Sequence, residues 1–415
     1  MLRKFAKGNP LPVVFFTVFL DLLGYGILIP VIPQLLANPR SEFYLLPNNL
    51  TPDQGYIMLG FLVAIFPFMQ FIATPILGQL SDKFGRKGIL AISLIGTCLS
   101  YIIFAIGIIT KNIPLLFVSR GFDGITGGNI SVAQAAIADV TTKENRTKTF
   151  GLIGAAFGMG FIIGPYIGGK LSDPSIVSWF NAATPFWFAA ILSFLNIISV
   201  FLFFPETNQH IQKTLHINWI KSIRNIIHAY MIKNLRTLFA TNFLFQGGFA
   251  FYTTFGPVFL INRFNFTQGN IGDFFAYVGL WIAITQGLII RKVSTKLNEA
   301  QVLRFSMFMC GVVLLCYFLP REWWQLLFVV PFFALNMGLS QANIAGLISR
   351  SSEPQIQGEV LGINSSVQAL AQTIPAAMSG YVAASMGPNT PVVVSALIMM
   401  SAAVFFWFTF TRKPA

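Results

Sequence analysis

Twelve apolar stretches, each close to the ~20 residues a helix needs to cross the hydrocarbon of a bilayer, take up most of this chain. They cover 11–36, 54–80, 88–109, 114–138, 148–171, 181–204, 236–262, 268–290, 300–319, 323–349, 358–384 and 390–411. In lipid every backbone polar group must be paired within the protein, which leaves helices or closed barrels. Runs of this length and continuity are helices. The sequence therefore predicts an all-α polytopic membrane protein with twelve transmembrane helices. Charge density agrees: only 10% of the 415 residues are charged, against about 25% in soluble domains. So few charges cannot cover a soluble surface, which excludes a cytosolic enzyme, a disordered chain and a nucleic-acid binder.

The formal net charge of +13 follows from topology. An even number of spans puts both termini on one side. Segments on that side, from Arg3, Lys4 and Lys7 to Arg412 and Lys413, hold 20 of the 27 basic residues, and the opposite loops hold five. By the positive-inside rule both termini are cytoplasmic. A nucleic-acid partner would need one contiguous basic face instead. Met1–Pro10 lacks a small-residue cleavage site and reads as a cytoplasmic start, not a removed signal peptide. Cys98, Cys310 and Cys316 lie inside apolar runs without metal spacing and read as buried small hydrophobes.

Pro205–Asn234 is the longest polar interruption on the terminal side and holds His210, His216 and His228. From Leu215 to Met231 it has helical apolar spacing with basic residues between, as expected of a helix on the membrane surface. It divides six spans from six: 1–204, a linker over 205–234, and 235–415. The halves echo each other. Phe150-Gly151, Pro165 and Gly168 recur as Leu361-Gly362, Pro375 and Gly380, at offsets of 211, 210 and 212. The loop from Gly78 to Lys87 after span 2 is echoed by Arg291–Glu299 after span 8. Two pseudo-symmetric six-helix halves enclosing a central site is the plan of many secondary transporters.

Polar residues that do not belong in lipid mark that site. Asp21 lies about ten residues into span 1, where a charge costs ~2.5–3.5 kcal/mol on insertion scales. Tyr25, four residues on, shares its face. No basic residue lies within a turn of Asp21, so its carboxyl suits a proton carrier. In span 4 Arg120 and Asp123 stand at i, i+3 and can pair. Arg120 can also hold an anionic group, and Asn129 and Gln134 follow on the same span. In the second half the deep polar residues are neutral: Gln246, Asn336, Gln341, Asn343 and Gln368, with Tyr252 and Trp281 beside them. Span 5 is glycine-rich, with Gly158, Gly164, Pro165, Gly168 and Gly169 giving a smooth face and a bend suited to a rocking helix. No span contains a histidine, and no nucleotide-binding loop or catalytic triad can be assembled. Neither enzymatic activity nor a cofactor nor a metal is expected.

The run Gly78-x-x-x-Asp82-x-x-Gly85-Arg86-Lys87 resembles the signature between helices 2 and 3 of the major facilitator superfamily. Gly164-Pro165-x-x-Gly168-Gly169 resembles the helix-5 motif of its drug/proton antiporters, and Asp21 matches their helix-1 acid. The segments Gly124–Gly127, Ile137–Asp139 and Gly164-Pro165 look most like the tetracycline/proton antiporters. Ser100 departs from that pattern, standing where those antiporters carry an acid, and no acid lies between Phe305 and Leu319. The resemblance implies alternating access, proton exchange in which Asp21 is the coupling acid that remains, with Asp123 added to it in this chain, and an inner gate in which Asp82 and Arg86 meet Asp139. It also implies a bacterial inner-membrane protein acting as a monomer on small amphipathic molecules, with protons and the lipid bilayer as its other partners. Proton-coupled uptake of a nutrient, organic anion or siderophore is the alternative.

Overall fold

The computed structural model describes residues 10–141, 143–208, 217–232, 235–294, 297–352 and 357–410, with the backbone alone for 143–155, 157, 291, 294, 357–359 and 361. The basic start of the chain, His210, Lys213, Leu215, His216, Lys296, Arg412 and Lys413 lie outside the described residues. The same holds for the side chains of Phe150 and Leu361 in the repeat.

Helices follow one another throughout: α1 Leu11–Leu36, α2 Pro52–Phe84, α3 Arg86–Ile109, α4 Ile113–Thr126, α5 Ile130–Val140, α6 Lys143–Leu171, α7 Thr184–Phe203, α8 Lys221–Met231, α9 Arg236–Phe264, α10 Gln268–Ile284, α11 Ile290–Ser294, α12 Glu299–Cys316, α13 Leu326–Arg350, α14 Gln357–Met386 and α15 Thr390–Thr409. Among the described residues nine helices are long and apolar enough to cross a membrane. α6 and α14, at 29 and 30 residues, have the length as well. Span 4 is split: a 3-10 turn at Gly127–Asn129 separates α4 from α5. Span 8 carries a π-turn at Thr285–Ile289 between α10 and α11.

Local chemistry sets the ends. Thr51 caps α2 by accepting from Gln54 N, while Gln54 Oε1 accepts from Thr51 N at 2.9 Å. Thr267 with Asn270 and Asn298 with Gln301 repeat the device at α10 and α12. Proline at the first turns of α2, α4, α7 and α15 lacks only an N–H that would have no helical partner there. The sequence suggests a loop from Gly78 onward, but α2 stays helical to Phe84. The break comes only at Gly85, whose φ of 95° ends the helix.

Packing repeats between the halves. α1 packs on α6, α2 on α4, α3 on α4 and α7. In the last six spans α9 packs on α14, α10 on α13, α12 on α13 and α15. The halves meet as α2 on α14 and α6 on α10, which are equivalent pairs under the same repeat. Each crossing is made by glycine. A Cβ on Gly60 would lie 2.8 Å from Ala376 O and 3.1 Å from Gly380 Cα, and one on Gly169 would lie 2.6 Å from Gln268 O and 3.0 Å from Gly272 Cα. Gly272 is 212 positions beyond Gly60, and Gly380 is 211 beyond Gly169. Both crossings lie at the end of the bundle away from the termini. At that far end Gln34 Nε2 donates to Phe266 O at 3.1 Å, and Lys170 pairs with Asp273 at 2.8 Å.

Candidate functional site

Close approach of helices builds the site. α4 presses on α2 because Gly124 and Gly128 have no side chains: a Cβ on Gly124 would collide with Phe66 O, and one on Gly128 would lie 2.9 Å from Thr74 N. This seats Phe66 over Arg120, with the guanidinium carbon 4.4 Å from the ring centroid. Arg120 Nη1 donates to Asp123 Oδ2 at 2.5 Å; the side chains are 4% and 7% exposed. The buried Arg120 Nε has no hydrogen-bond partner.

Arg120 lines a cavity between the halves. Its other walls are Tyr25, Leu28, Ile29, Ile32 and Pro33 of α1, Leu59 and Val63 of α2, and Thr253 and Thr254 of α9. The space is about 30 Å³, enough for water but far below the 300–1,000 Å³ of a ligand pocket. Anything larger than water would fit here only if the halves parted.

Asp21 lies elsewhere. It lines a second cavity of about 10 Å³, inside the first six spans, with Leu94, Thr97 and Tyr101 of α3 and Ala189 and Ser193 of α7. The Tyr101 hydroxyl packs against Gly24, where a Cβ would collide with it. Asp21 and Tyr25, expected on one face of the helix, thus line different spaces. Four residues turn a helix by about 400° and raise it about 6 Å, and that offset separates the two walls. Asn129 of the 3-10 turn and Asp123 are polar neighbours of Asp21, and both side-chain polar atoms of the buried Asn129 are without a hydrogen-bond partner. No ion pair to Asp21 occurs among the described residues.

The other expected cavity residues are scattered. Tyr252 does not line the cavity. It is 1% exposed in an aromatic cluster with Phe333 at 4.9 Å, Phe275 at 5.8 Å and Tyr317 at 6.1 Å between centroids. Its neighbours Thr253 and Thr254 are the residues that reach the cavity. Asn336 and Asn343 donate back to Phe332 O and Leu339 O of their own helix at 2.8 and 2.7 Å. Trp281 is half-buried beside Tyr277. Gln134, Gln246, Gln341 and Gln368 are half-buried outside the cavity lining.

At the terminal end a charge cluster forms around α3. Arg86 Nη1 meets Asp82 Oδ1 at 2.6 Å and Ser81 Oγ at 2.6 Å, and Arg86 Nε meets Asp139 Oδ2 at 3.0 Å. Lys87 Nζ donates to Phe201 O at 3.0 Å. Glu206, which the sequence reading passed over, accepts from Arg86 N at 2.8 Å and Lys87 N at 3.1 Å, capping the helix at its positive end. Its signal was an acid just past the end of an apolar run. Gly78 packs beside Ser131 of α5. On α6, Gly164 and Gly168 face α1, where Gly26 lies against Pro165 Cδ; Gly169 faces α10, and Gly158 is open. One helix is thus gripped by both halves.

The sequence profile of the Major Facilitator Superfamily matches residues 14–376 and 238–415. The chain belongs to this superfamily. It is 33% identical over 355 residues to the class H tetracycline resistance protein of Pasteurella multocida, covering 84% of this chain and 83% of the relative. It is 30% identical over 346 residues to the class B tetracycline resistance protein of Escherichia coli, covering 83% and 81%. It is 28% identical over 371 residues to multidrug resistance protein 2 of Bacillus subtilis, covering 88% and 86%. Among solved structures the D-xylose–proton symporter superimposes with a TM-score of 0.73 at 15% identity, covering 96% of this chain and 97% of that one. The human organic anion transporter MFSD10 gives 0.68 at 21%, covering 96% and 98%. These likenesses establish the superfamily's fold: the chain is a multi-pass membrane transporter.

Proposed function

We propose that the chain is a proton-coupled antiporter that exports small amphipathic molecules across the inner membrane of a bacterium, working as a monomer with both termini in the cytoplasm. One observation carries the reading. Asp21, without an ion pair among the described residues, neighbours Asp123, and Asp123 holds the guanidinium that lines the substrate cavity. The charge on Asp21 therefore reaches the cation through Asp123. A proton on Asp21 leaves Asp123 alone with Arg120; its release places a second negative charge behind the pair. Substrate contact with Arg120 and proton occupancy of Asp21 are then coupled, and the coupling is reciprocal. The names of the relatives, which include tetracycline and multidrug resistance proteins, support export of drug-like molecules. In this reading the far end is the outer face, and the glycine crossings there close it while the site is reached from the cytoplasm.

The test is flux in proteoliposomes under an imposed pH gradient, with tetracyclines and cationic dyes as candidate substrates. Substrate movement opposite to the proton gradient, dissipating it, is the expected result. Movement with the proton gradient would replace export by uptake. The unpartnered Arg120 Nε in the cavity favours an acceptor or anionic group on the substrate, so organic anions belong in the same panel as the second reading.

A further inference from the structure

The linker helix α8 is fastened to both halves. Phe71 O of α2 lies four residues before Pro75, which has no N–H, so the helix leaves that carbonyl without its usual donor. Ser222 Oγ supplies the bond at 2.5 Å. About two turns along α2 from Phe71, Gln79 exchanges bonds with the backbone of Asn218, accepting from its N–H at 2.8 Å and donating to its carbonyl at 3.3 Å. On the other half, Asn225 Nδ2 donates to Ser366 Oγ of α14 at 3.2 Å. Ser222, Asn225 and the buried Ala229 thus form one row of α8, turned to the bundle.

Two further rows remain. Ile223, Ile227 and Tyr230 are 56%, 52% and 76% exposed, and Trp219 and Ile220 extend the row at 68% and 58%. Lys221, Arg224 and His228 form the third, all exposed. At 3.6 residues per turn the two rows lie on opposite flanks of the docking row. No Asp or Glu occurs between Glu206 and Asp273, and neither Lys221 nor Arg224 makes an ion pair among the described residues.

We infer that α8 is a lipid-reading strap. Its isoleucine row enters the interfacial layer, and Lys221 and Arg224 bind the phosphates of anionic glycerophospholipids in the same leaflet. Apolar and cationic rows side by side, with no acid in the same stretch of sequence to balance the charge, complement an anionic bilayer surface and suit neither bulk water nor a zwitterionic leaflet. Because the docking row is bonded to α2 and to α14, lipid held by the strap bears on the relative position of the two halves. The inference needs only the membrane location and is independent of which way substrate moves.

The test is native mass spectrometry of the full-length chain in mixed micelles holding equal phosphatidylglycerol and phosphatidylcholine. A cation near an anionic surface is worth about 1 kcal/mol, or about fivefold. Lys221→Gln with Arg224→Gln should lower affinity for the first phosphatidylglycerol bound about 25-fold and leave phosphatidylcholine binding unchanged. Ile223→Asp should weaken both lipids. Lys111→Gln at the far end should change neither. Unchanged phosphatidylglycerol affinity in the double variant overturns the inference, as does displacement of the lipid by equimolar inorganic phosphate.

Discussion

Arg120 gives one Nη1 hydrogen bond to Asp123 at 2.5 Å, while its buried Nε points at no acceptor. Half-satisfied in this way, the guanidinium is held in the cavity wall by an acid on its own helix and keeps donor capacity for a guest. Breaking a buried pair by removing one partner costs about 3–5 kcal/mol, whereas replacing both together is often near neutral. Arg120→Gln and Asp123→Asn should therefore each lower the thermal midpoint more than the double variant does. Thermal denaturation in detergent reads the cycle; strictly additive losses would show that the pair is not energetically coupled.

Asp21→Asn keeps the shape of the α1–α3–α7 cavity and removes the titrating group. Gradient-driven flux should fall to the level without a gradient, while ligand-induced thermal stabilisation persists, since Asp21 does not line the substrate cavity. Wild-type response to the pH gradient in that variant would remove Asp21 from the coupling scheme.

The far-end seam predicts a conformational shift. A Cβ on Gly272 would lie 2.5 Å from Pro165 O and 3.0 Å from Gly169 Cα. Overpacking costs about 1–3 kcal/mol. Gly272→Ala should therefore depopulate the far-end-closed state roughly 5- to 150-fold by the same principle. Labelling rates of Thr253→Cys by an impermeant thiol reagent, on a chain with Cys98, Cys310 and Cys316 replaced, should rise from the far side. No rise would mean that the crossing yields elsewhere.

Gly85 and Glu206 form a matched pair: the glycine turns at φ 95°, and any side chain there would meet the Glu206 carboxylate. Glu206→Gln, which keeps an acceptor, should lower stability only slightly. Gly85→Ala should cost about 1–3 kcal/mol from backbone strain alone, since φ 95°, ψ 153° is a conformation open essentially to glycine. Melting curves rank the two; equal losses would point to the capping bonds as the dominant contribution.

The spans were legible because the bilayer imposes one length on each segment; their pairing was not, since the glycines of spans 2, 8 and 11 that make the close crossings carry no mark of the partner they face. Asp21 and Arg120 stood out as charges in apolar sequence. What sequence could not supply was depth and rotation. Tyr25 follows Asp21 by one turn yet faces a different space, and Tyr252 is buried among aromatics while the less conspicuous Thr253 and Thr254 meet the cavity. Thr and Ser hide well in membrane helices because they satisfy themselves on their own backbone, as Thr254 does on Ala250 O at 2.7 Å. Glu206 showed only as an acid past an apolar run; its role was hidden because the amides it caps are 119 and 120 residues away.

The seam at Gly60–Gly380 and Gly169–Gly272 brings main chain against main chain. Beside it the buried Gln34 donates to Phe266 O at 3.1 Å, one hydrogen bond across the seam. Dispersion between bare helices is lost as soon as they separate by an ångström or so. The nearby Lys170–Asp273 bridge is solvent-exposed and adds little. On the proposed transport reading, the doorway then opens without a protonation at its own threshold, with one buried hydrogen bond and one exposed bridge to part. What decides when it swings is, on that reading, set at a distance, by the occupancy of the chambers beneath it.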